Sequence, residues 1–266
     1  MPERKRPLLA RLLSEDGLGM VELLAAMTVM LVGILAVYGL FQSGLVQLRR
    51  ASTKTTAAAL ADAQMEKFRA VKYDTLGIDA TKTCPSGCSS ADATYRADSA
   101  YKADTATTTT LPSPGLTASA TTTTFAALPA GFPTMPEFRV KIDSEIVLVT
   151  NVNASTKTWT LKRAQDGTVA ASHATGVAVT RKERVDVANC SGGGSPCSTI
   201  VPTTTAAGAD HRSYRVDTYV NWTTVSNSGG TAGRALKQIT IVVRDGASPY
   251  RTWARVTSIF DEGTGL

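Results

Sequence analysis

The N-terminal part of the chain contains an uncharged apolar segment that is long enough to cross a membrane. Residues 20–48 carry a single formal charge, on Glu22, and residues 23–41 carry none. A helix needs about 20 apolar residues to span the hydrocarbon core of a bilayer. No second segment of the sequence meets that requirement. We therefore expect one membrane passage, near the N-terminus.

The residues in front of this segment indicate its orientation. Arg4, Lys5, Arg6 and Arg11 form a basic leader, which the positive-inside rule keeps in the cytoplasm, so everything after the helix is exported. A secretory signal peptide has a shorter apolar core, and its small-residue cleavage site follows that core. Here the small residue, Gly17, precedes the run. The pattern therefore does not fit an ordinary cleaved signal peptide.

A basic leader, Gly17 and an apolar run interrupted only by Glu22 follow one another in this order. This arrangement resembles the class III signal of type IV prepilins and pseudopilins. The resemblance implies that prepilin peptidase cuts between Gly17 and Leu18 on the cytoplasmic face and that the new N-terminus, Leu18, is methylated. Leu18 replaces the usual Phe. Cleavage after Gly19 would make Glu22 the third mature residue instead of the characteristic fifth, so the family pattern favours Gly17.

Glu22 is the one acidic side chain placed inside the apolar segment. A carboxylate in hydrocarbon costs about 2.5–3.5 kcal/mol on insertion scales and needs a partner. The resemblance supplies one, because the free amine of Leu18 on a neighbouring subunit would meet Glu22 during filament assembly. The alternative is an interfacial Glu22 that only reaches the headgroups. We favour the assembly role.

The apolar segment continues into an amphipathic stretch. Apolar residues recur at helical spacing at Ala57, Leu60, Ala61, Met65 and Phe68, which predicts one buried helix face. A continuous helix over residues 18–73 would be about 80 Å long. Residues 61–76 also resemble this stretch in minor pilins of the pilus-modification group. Packing of related pilins in filaments suggests local melting near Gly39 as a further hypothesis.

Alternating apolar and polar residues return in the C-terminal part. The segments 214–222, 238–245 and 250–259 alternate and are separated by turn residues, which predicts an antiparallel meander. The predicted fold class is α+β and pilin-like, with a long N-terminal helix, membrane-spanning and then amphipathic, packed on a C-terminal antiparallel sheet, and with a β-rich insert. The helix would place its amphipathic half on one face of that sheet.

The sequence divides into six segments with different expected structures. Residues 77–136 contain threonine tracts and six prolines and are expected to be irregular. Residues 137–181 resemble a small β module of phage virion proteins through the tracts 159–168 and 171–176, and His173 is expected to be a turn residue there. The six segments are 1–17 (prepilin leader), 18–48 (transmembrane or filament-core helix), 49–76 (amphipathic half), 77–136 (irregular loop), 137–181 (β insert) and 182–266 (C-terminal sheet).

Four cysteines lie in the part that would be exported, namely Cys84, Cys88, Cys190 and Cys197. An even number outside the cytoplasm favours disulfides. Three pairings are possible, and we favour the local pairs Cys84–Cys88 and Cys190–Cys197, although spacing does not decide between the three. A four-thiolate zinc site is the alternative, but six residues between Cys190 and Cys197 exceed the usual spacing of zinc pairs. No metal site is therefore expected.

The sequence contains no recognisable catalytic set. His173 and His211 lack a nucleophile-and-base context, and the glycine run before Ser195 matches neither a nucleophile elbow nor a phosphate-binding loop. We expect no enzyme activity and no cofactor. The formal net charge of +6 permits weak contact with DNA or anionic surfaces. Without a basic cluster interleaved with aromatics, no specific nucleic-acid binding is predicted.

The resemblance implies a structural role as a minor pilin of a type IV pilus, with adhesion, pilus priming or DNA uptake as roles of the head. Its partners would be other pilin subunits, prepilin peptidase and the inner-membrane assembly platform. The chain would cross the cytoplasmic membrane once, N-terminus inside, and then reach the extracellular pilus. Two alternatives stay open: a pseudopilin of a type II secretion or competence machine, and a signal-anchored surface-binding protein that does not polymerise.

Overall fold

A computed structural model describes residues 19–79, 92–102, 104, 108–134, 136–189, 197–224 and 235–261. The chain divides into two compact units, Met1–Ser52 and Thr53–Leu266, which we call the stem and the head. The fold is α+β, with one long N-terminal apolar helix followed by antiparallel sheets. The fold class predicted from the sequence is therefore confirmed.

Helix α1 runs without interruption from Met20 to Arg69. Its 50 residues correspond to about 75 Å. Within the head, its buried residues recur every three or four positions, so they share one face of the helix; they are Thr53, Ala57, Ala61, Gln64, Met65 and Phe68. Lys67 and Arg69 occupy the last turn, where the helix dipole stabilises positive charge. The buried face is the one that the apolar spacing predicted.

The C-terminal part of the head is a four-stranded antiparallel sheet with α1 packed on one face. Its strands lie in sequence order. They are β10 (Thr203–Ala207), β11 (Ser213–Thr224), β12 (Ala235–Asp245) and β13 (Thr252–Phe260). Strands β11 to β13 form the predicted meander, and β10 is an additional edge strand. Phe68, Met65 and Ala61 of α1 pack in the same core as Ile239 and Ile241 of β12.

A smaller sheet continues from the end of α1. A single 3₁₀ turn at Tyr73–Thr75 leads to β1 (Ile78–Asp79), which pairs in parallel with β8 (Asp186–Asn189), and β8 pairs in parallel with β9 (Cys197–Ser198). Gly77 allows its backbone to lie close to Val187 of β8, because a Cβ at position 77 would be 2.4 Å from Val187 Cγ2. The short sheet thus ties the end of the helix to the segment that follows the insert.

The β-rich insert is a six-stranded antiparallel sheet with the strand order β2-β7-β4-β5-β6-β3. Its central strands are β4 (Phe138–Ile142), β5 (Glu145–Asn153), β6 (Thr158–Gln165) and β7 (Ala178–Arg181). Its two edges are β2 (Thr108–Thr110) and β3 (Thr122–Thr124). Trp159 fills the centre of its core, with ring centroids of Phe125, Phe132 and Phe138 4.6, 5.3 and 5.3 Å away.

The insert therefore begins earlier in the chain than the sequence indicated. Residues 77–136 were expected to be irregular, but this segment contributes β1, β2, β3 and the short helix α2 (Ala93–Ala97). The two edge strands consist only of threonine, so they show no alternation of apolar and polar residues, the usual signal of a half-buried strand. Their strand structure comes from pairing with β7 and β6.

Candidate functional site

The stem is an apolar helix with no packing partner among the described residues of its own unit. Every described residue from Gly19 to Ser52 is exposed, including Met30 at 67% and Leu40 at 73%. In the described part of the chain, α1 is the one helix that is long and apolar enough to cross a membrane. An apolar surface of this extent marks a site of contact with lipid or with another protein.

Two hydroxyl side chains inside the stem form hydrogen bonds within the helix itself. Thr28 Oγ1 donates to the carbonyl oxygen of Ala25 at 2.8 Å, and Ser43 Oγ donates to that of Leu40 at 2.9 Å. Such local bonds pair the hydroxyl donors with backbone carbonyls of the same helix. A hydrocarbon environment requires this, because it offers no other hydrogen-bond partner. The stem can therefore enter an apolar phase without leaving these two hydroxyl groups unpaired.

Glu22 lies in the first turn of α1, exposed and two residues after the helix begins. A carboxylate at this end of a helix is favoured by the helix dipole. The expected cleavage-site residues Gly17 and Leu18 lie outside the described residues. Cleavage after Gly17, methylation of Leu18 and the assembly role of Glu22 therefore stay predictions.

Three glycines, Gly33, Gly39 and Gly44, lie along the exposed stem within unbroken helix. A Cβ added at any of them would meet no atom within 4 Å. Contacts within the chain therefore do not require glycine at these positions. Small residues on apolar helices allow a neighbouring helix to approach closely, which is the contact that these positions permit.

The cysteine prediction also falls largely outside the described residues. Cys84, Cys88 and Cys190 are not among them, and Cys197 is described only by its backbone at the start of β9. Their pairing therefore stays a prediction. Among the described residues, no group of three or more His, Cys, Asp or Glu side chains is arranged to hold a metal ion.

One end of the insert is organised around a buried carboxylate. Glu145 is fully buried and accepts hydrogen bonds from Arg163 Nε at 2.8 Å and Nη2 at 2.6 Å. The backbone N–H groups of Ala164 and Ala171 donate to it at 3.0 and 3.1 Å, and His173 Nε2 lies 2.9 Å away. Burial alone would raise the pKa of Glu145, but these hydrogen bonds outweigh it and hold the pKa at about 2.

The partners of Glu145 extend the cluster to the neighbouring loops. Arg163 Nη1 donates to the carbonyl oxygens of Thr117 and Ala120 at 2.6 and 3.1 Å. The other ring nitrogen of His173, Nδ1, lies 2.8 Å from Asp143 Oδ2. His173 was predicted to be a turn residue, but it is buried and its backbone forms a bridge with Leu116. The available signal was Glu145, the one charged residue of β5, which directly precedes four apolar residues.

A second chain of charges crosses the face of the four-stranded sheet opposite α1. Arg215 pairs with Asp92 and donates from Nε to Asp217 Oδ1 at 2.7 Å. Arg244 donates from Nε to Asp217 Oδ2 at 2.9 Å and pairs with Asp98. Burial would raise the pKa of Asp98, but hydrogen bonds from Arg255, from the Ala100 N–H and from Arg244 lower it.

This chain of charges fixes the segment 92–102 on the sheet. Tyr95 stacks on Tyr219 with ring centroids 4.3 Å apart, and their hydroxyls donate to the backbone carbonyls of Thr218 and Tyr95 at 2.7 and 2.9 Å. Sequence reasoning missed both charge clusters, because their members lie far apart in the chain. Each buried carboxylate is neutralised by arginine, which fits a role in holding loops rather than in proton transfer.

No protein-family model matches the chain, and comparisons with curated proteins and with solved structures give no match either. The long apolar N-terminal helix, whose second half packs on an antiparallel sheet, is consistent with a pilin-like architecture. The helix is also compatible with a transmembrane anchor.

Proposed function

We propose that the chain is a structural subunit of a type IV pilus, of the minor-pilin kind. The observation that carries the proposal is the division within α1: residues 20–48 are predominantly apolar and wholly exposed, whereas Ala57, Ala61, Met65 and Phe68 lie in the core of the head. A helix with these two halves is suited to hold a folded head while its apolar half occupies a bilayer or a filament core.

In this proposal, prepilin peptidase removes residues 1–17, and the methylated N-terminus at Leu18 becomes the partner of Glu22 on a neighbouring subunit. The stem rests in the cytoplasmic membrane before assembly and then moves into the filament through contacts with other pilin subunits and the assembly platform. The head is carried to the cell surface. The six-stranded insert gives it a second folded surface, which supports a minor rather than a major subunit.

Processing is tested with Gly17→Ala, expressed with prepilin peptidase and followed by immunoblotting. We expect the variant to keep its leader and to be absent from sheared filaments, because the peptidase acts after this glycine. Gly19→Ala is the matched control and should be cut normally. Normal trimming of the Gly17→Ala chain would contradict the proposal.

Assembly is tested separately with Glu22→Ala. Cleavage should continue, whereas the amount in sheared filaments should fall at least tenfold, because the carboxylate no longer pairs with the neighbouring amine. Glu66→Ala, which removes an exposed acid in the head part of α1, is the control and should assemble normally. A cleaved Glu22→Ala chain at normal levels in filaments would contradict the role of Glu22. A wild-type chain that stays in the membrane and never polymerises would favour the signal-anchored alternative.

A further inference from the structure

Lys182 lies between two carboxylates where the chain returns from the insert to the rest of the head. Its side chain is 4% exposed. Nζ lies 2.5 Å from Asp104 Oδ2 and also contacts Asp186 Oδ2. Asp104 precedes the first strand of the insert, and Lys182 follows the last. The contact therefore joins the two passages of chain that connect the insert to the head.

The second oxygen of Asp104 is held by two backbone donors. The N–H groups of Glu183 and Arg184 both donate to Oδ1, each at 2.9 Å. Two amides that converge on one oxygen form the arrangement that stabilises the negatively charged oxygen of a tetrahedral intermediate. Asp104 is thus oriented with Oδ2 towards the lysine nitrogen and Oδ1 in a site suited to an oxyanion.

Asp186 contacts the same lysine nitrogen through Oδ2, and its Oδ1 lies 3.4 Å from Arg184 Nη2. A carboxylate in this position can accept a proton from Nζ and return it to a leaving oxygen. The local set therefore contains an amine, an acyl carbon, two oxyanion donors and a proton carrier, all from described side chains and backbone.

We propose that Lys182 and Asp104 condense to an intramolecular isopeptide bond. Asp186 takes a proton from the Lys182 ammonium and passes it to Oδ2 of Asp104, and the free amine attacks Cγ of the resulting neutral acid, placing negative charge on Oδ1 between the two N–H donors. The C–Oδ2 bond then breaks. Two of the three ammonium protons leave with Oδ2 as water, one of them through Asp186, and the third stays on the amide nitrogen. Asp186 ends unchanged, and no oxidant or reductant is needed.

The surroundings favour this condensation by holding the reacting groups in contact. The fixed contact between Nζ and the carboxyl group replaces a bimolecular encounter, which raises the effective concentration of the reacting groups.

The bond would close a covalent loop around the whole insert. The two passages of chain that connect residues 105–181 to the rest of the head would then be covalently joined to each other. Tension along the chain would pass from Asp104 to Lys182 through the amide and would bypass the strands of the insert. This function is independent of the proposed role in a pilus and does not require it.

The test is peptide mapping of the purified full chain in detergent, after reduction of disulfides. We expect one cross-linked peptide that contains Asp104 and Lys182, lighter by one water molecule than the sum of its parts. Lys182→Arg keeps the positive charge but forms no amide, so the cross-link should disappear. Lys141→Arg, which changes an exposed lysine of the insert, is the control and should keep it. Full recovery of the two linear peptides from the folded wild-type chain would overturn the proposal.

Two further variants separate a covalent bond from an ion pair. Asp104→Asn should still condense, releasing ammonia instead of water, and should give a product with the same mass as the cross-linked wild type. Asp186→Asn should leave the reactants in place but reduce the cross-linked fraction at least tenfold. An uncrosslinked Asp104→Asn chain would contradict the proposed reaction, and full cross-linking of Asp186→Asn would contradict the proton-carrying role of Asp186.

Discussion

The two halves of helix α1 differ in where their apolar side chains lie. In the stem, Leu40 is 73% exposed, whereas Phe68 in the head is fully buried against the four-stranded sheet. Among the described residues, the helix thus has an internal packing partner in one half and none in the other. The head can be stable through its own core, whereas the stem leaves an apolar surface available for contact with lipid or with neighbouring chains.

The two units also differ in their charges. The stem has no acidic or basic residue between Leu23 and Leu48. The head buries Glu145 and Asp217 completely, each paired with arginine. Buried ion pairs are sensitive to loss of either partner, so single substitutions in the head should have effects that have no counterpart in the stem.

The largest expected difference between the two regions concerns apolar truncation. Trp159→Ala should lower the free energy of unfolding by about 3–5 kcal/mol, because it empties the centre of the insert core. Leu40→Ala should leave the unfolding of the head unchanged. Urea unfolding of the full chain in detergent, followed by circular dichroism, measures both. Equal destabilisation by the two substitutions would contradict the division between stem and head.

A somewhat smaller effect is expected from acid. The pKa of Glu145 is about 2 in the folded chain against an ordinary value of 4.5, so its contribution is complete above about pH 4.5 and is lost as the pH falls towards 2. The loss is on the order of 3 kcal/mol. Unfolding free energies measured between pH 7 and pH 2 should show this decline.

Glu145→Gln supplies the comparison for this measurement. The variant should be less stable than the wild type at pH 7, because Arg163 is left buried without its counter-charge, and its stability should change less between pH 4.5 and pH 2. Glu66→Gln, at an exposed site of α1, should follow the wild-type curve. Parallel curves for Glu145→Gln and the wild type would show that Glu145 is not the titrating group.

The smallest expected effect concerns an exposed ion pair. Arg69 and Glu66 pair on the surface of α1, where the Arg69 side chain is 56% exposed, against 8% for Arg163 in its pair with Glu145. Arg69→Ala should lower the free energy of unfolding by about 0.3–0.5 kcal/mol. Urea unfolding at low and high salt is the measurement. A loss above about 2 kcal/mol would mean that the exposed pair contributes as buried pairs do.

The helix and the meander were predictable because each has a repeating signal. The buried positions Ala57, Ala61, Met65 and Phe68 follow the helical period, and the strands around Val216 and Ile241 alternate. Both signals are local and survive in any context that buries one face. The α+β fold class follows from these two patterns alone.

The edge strands and the charge clusters had no comparable signal. A strand of three threonines does not alternate, and the contact of His173 with Glu145 spans 28 residues, so it exists only after the strands of the insert have paired. The same holds for Arg215 and Asp92, which are 123 residues apart. Contacts of this kind depend on topology, which a single sequence does not specify.

The short edges of the insert sheet have a consequence for crowded surroundings. Strands β2 and β3 are three residues long each and consist of threonine, so each edge offers few unpaired backbone groups to a foreign strand. Long apolar edges invite pairing between molecules and lead to aggregation. Many copies of the insert could therefore lie side by side at high local concentration with little strand pairing between them.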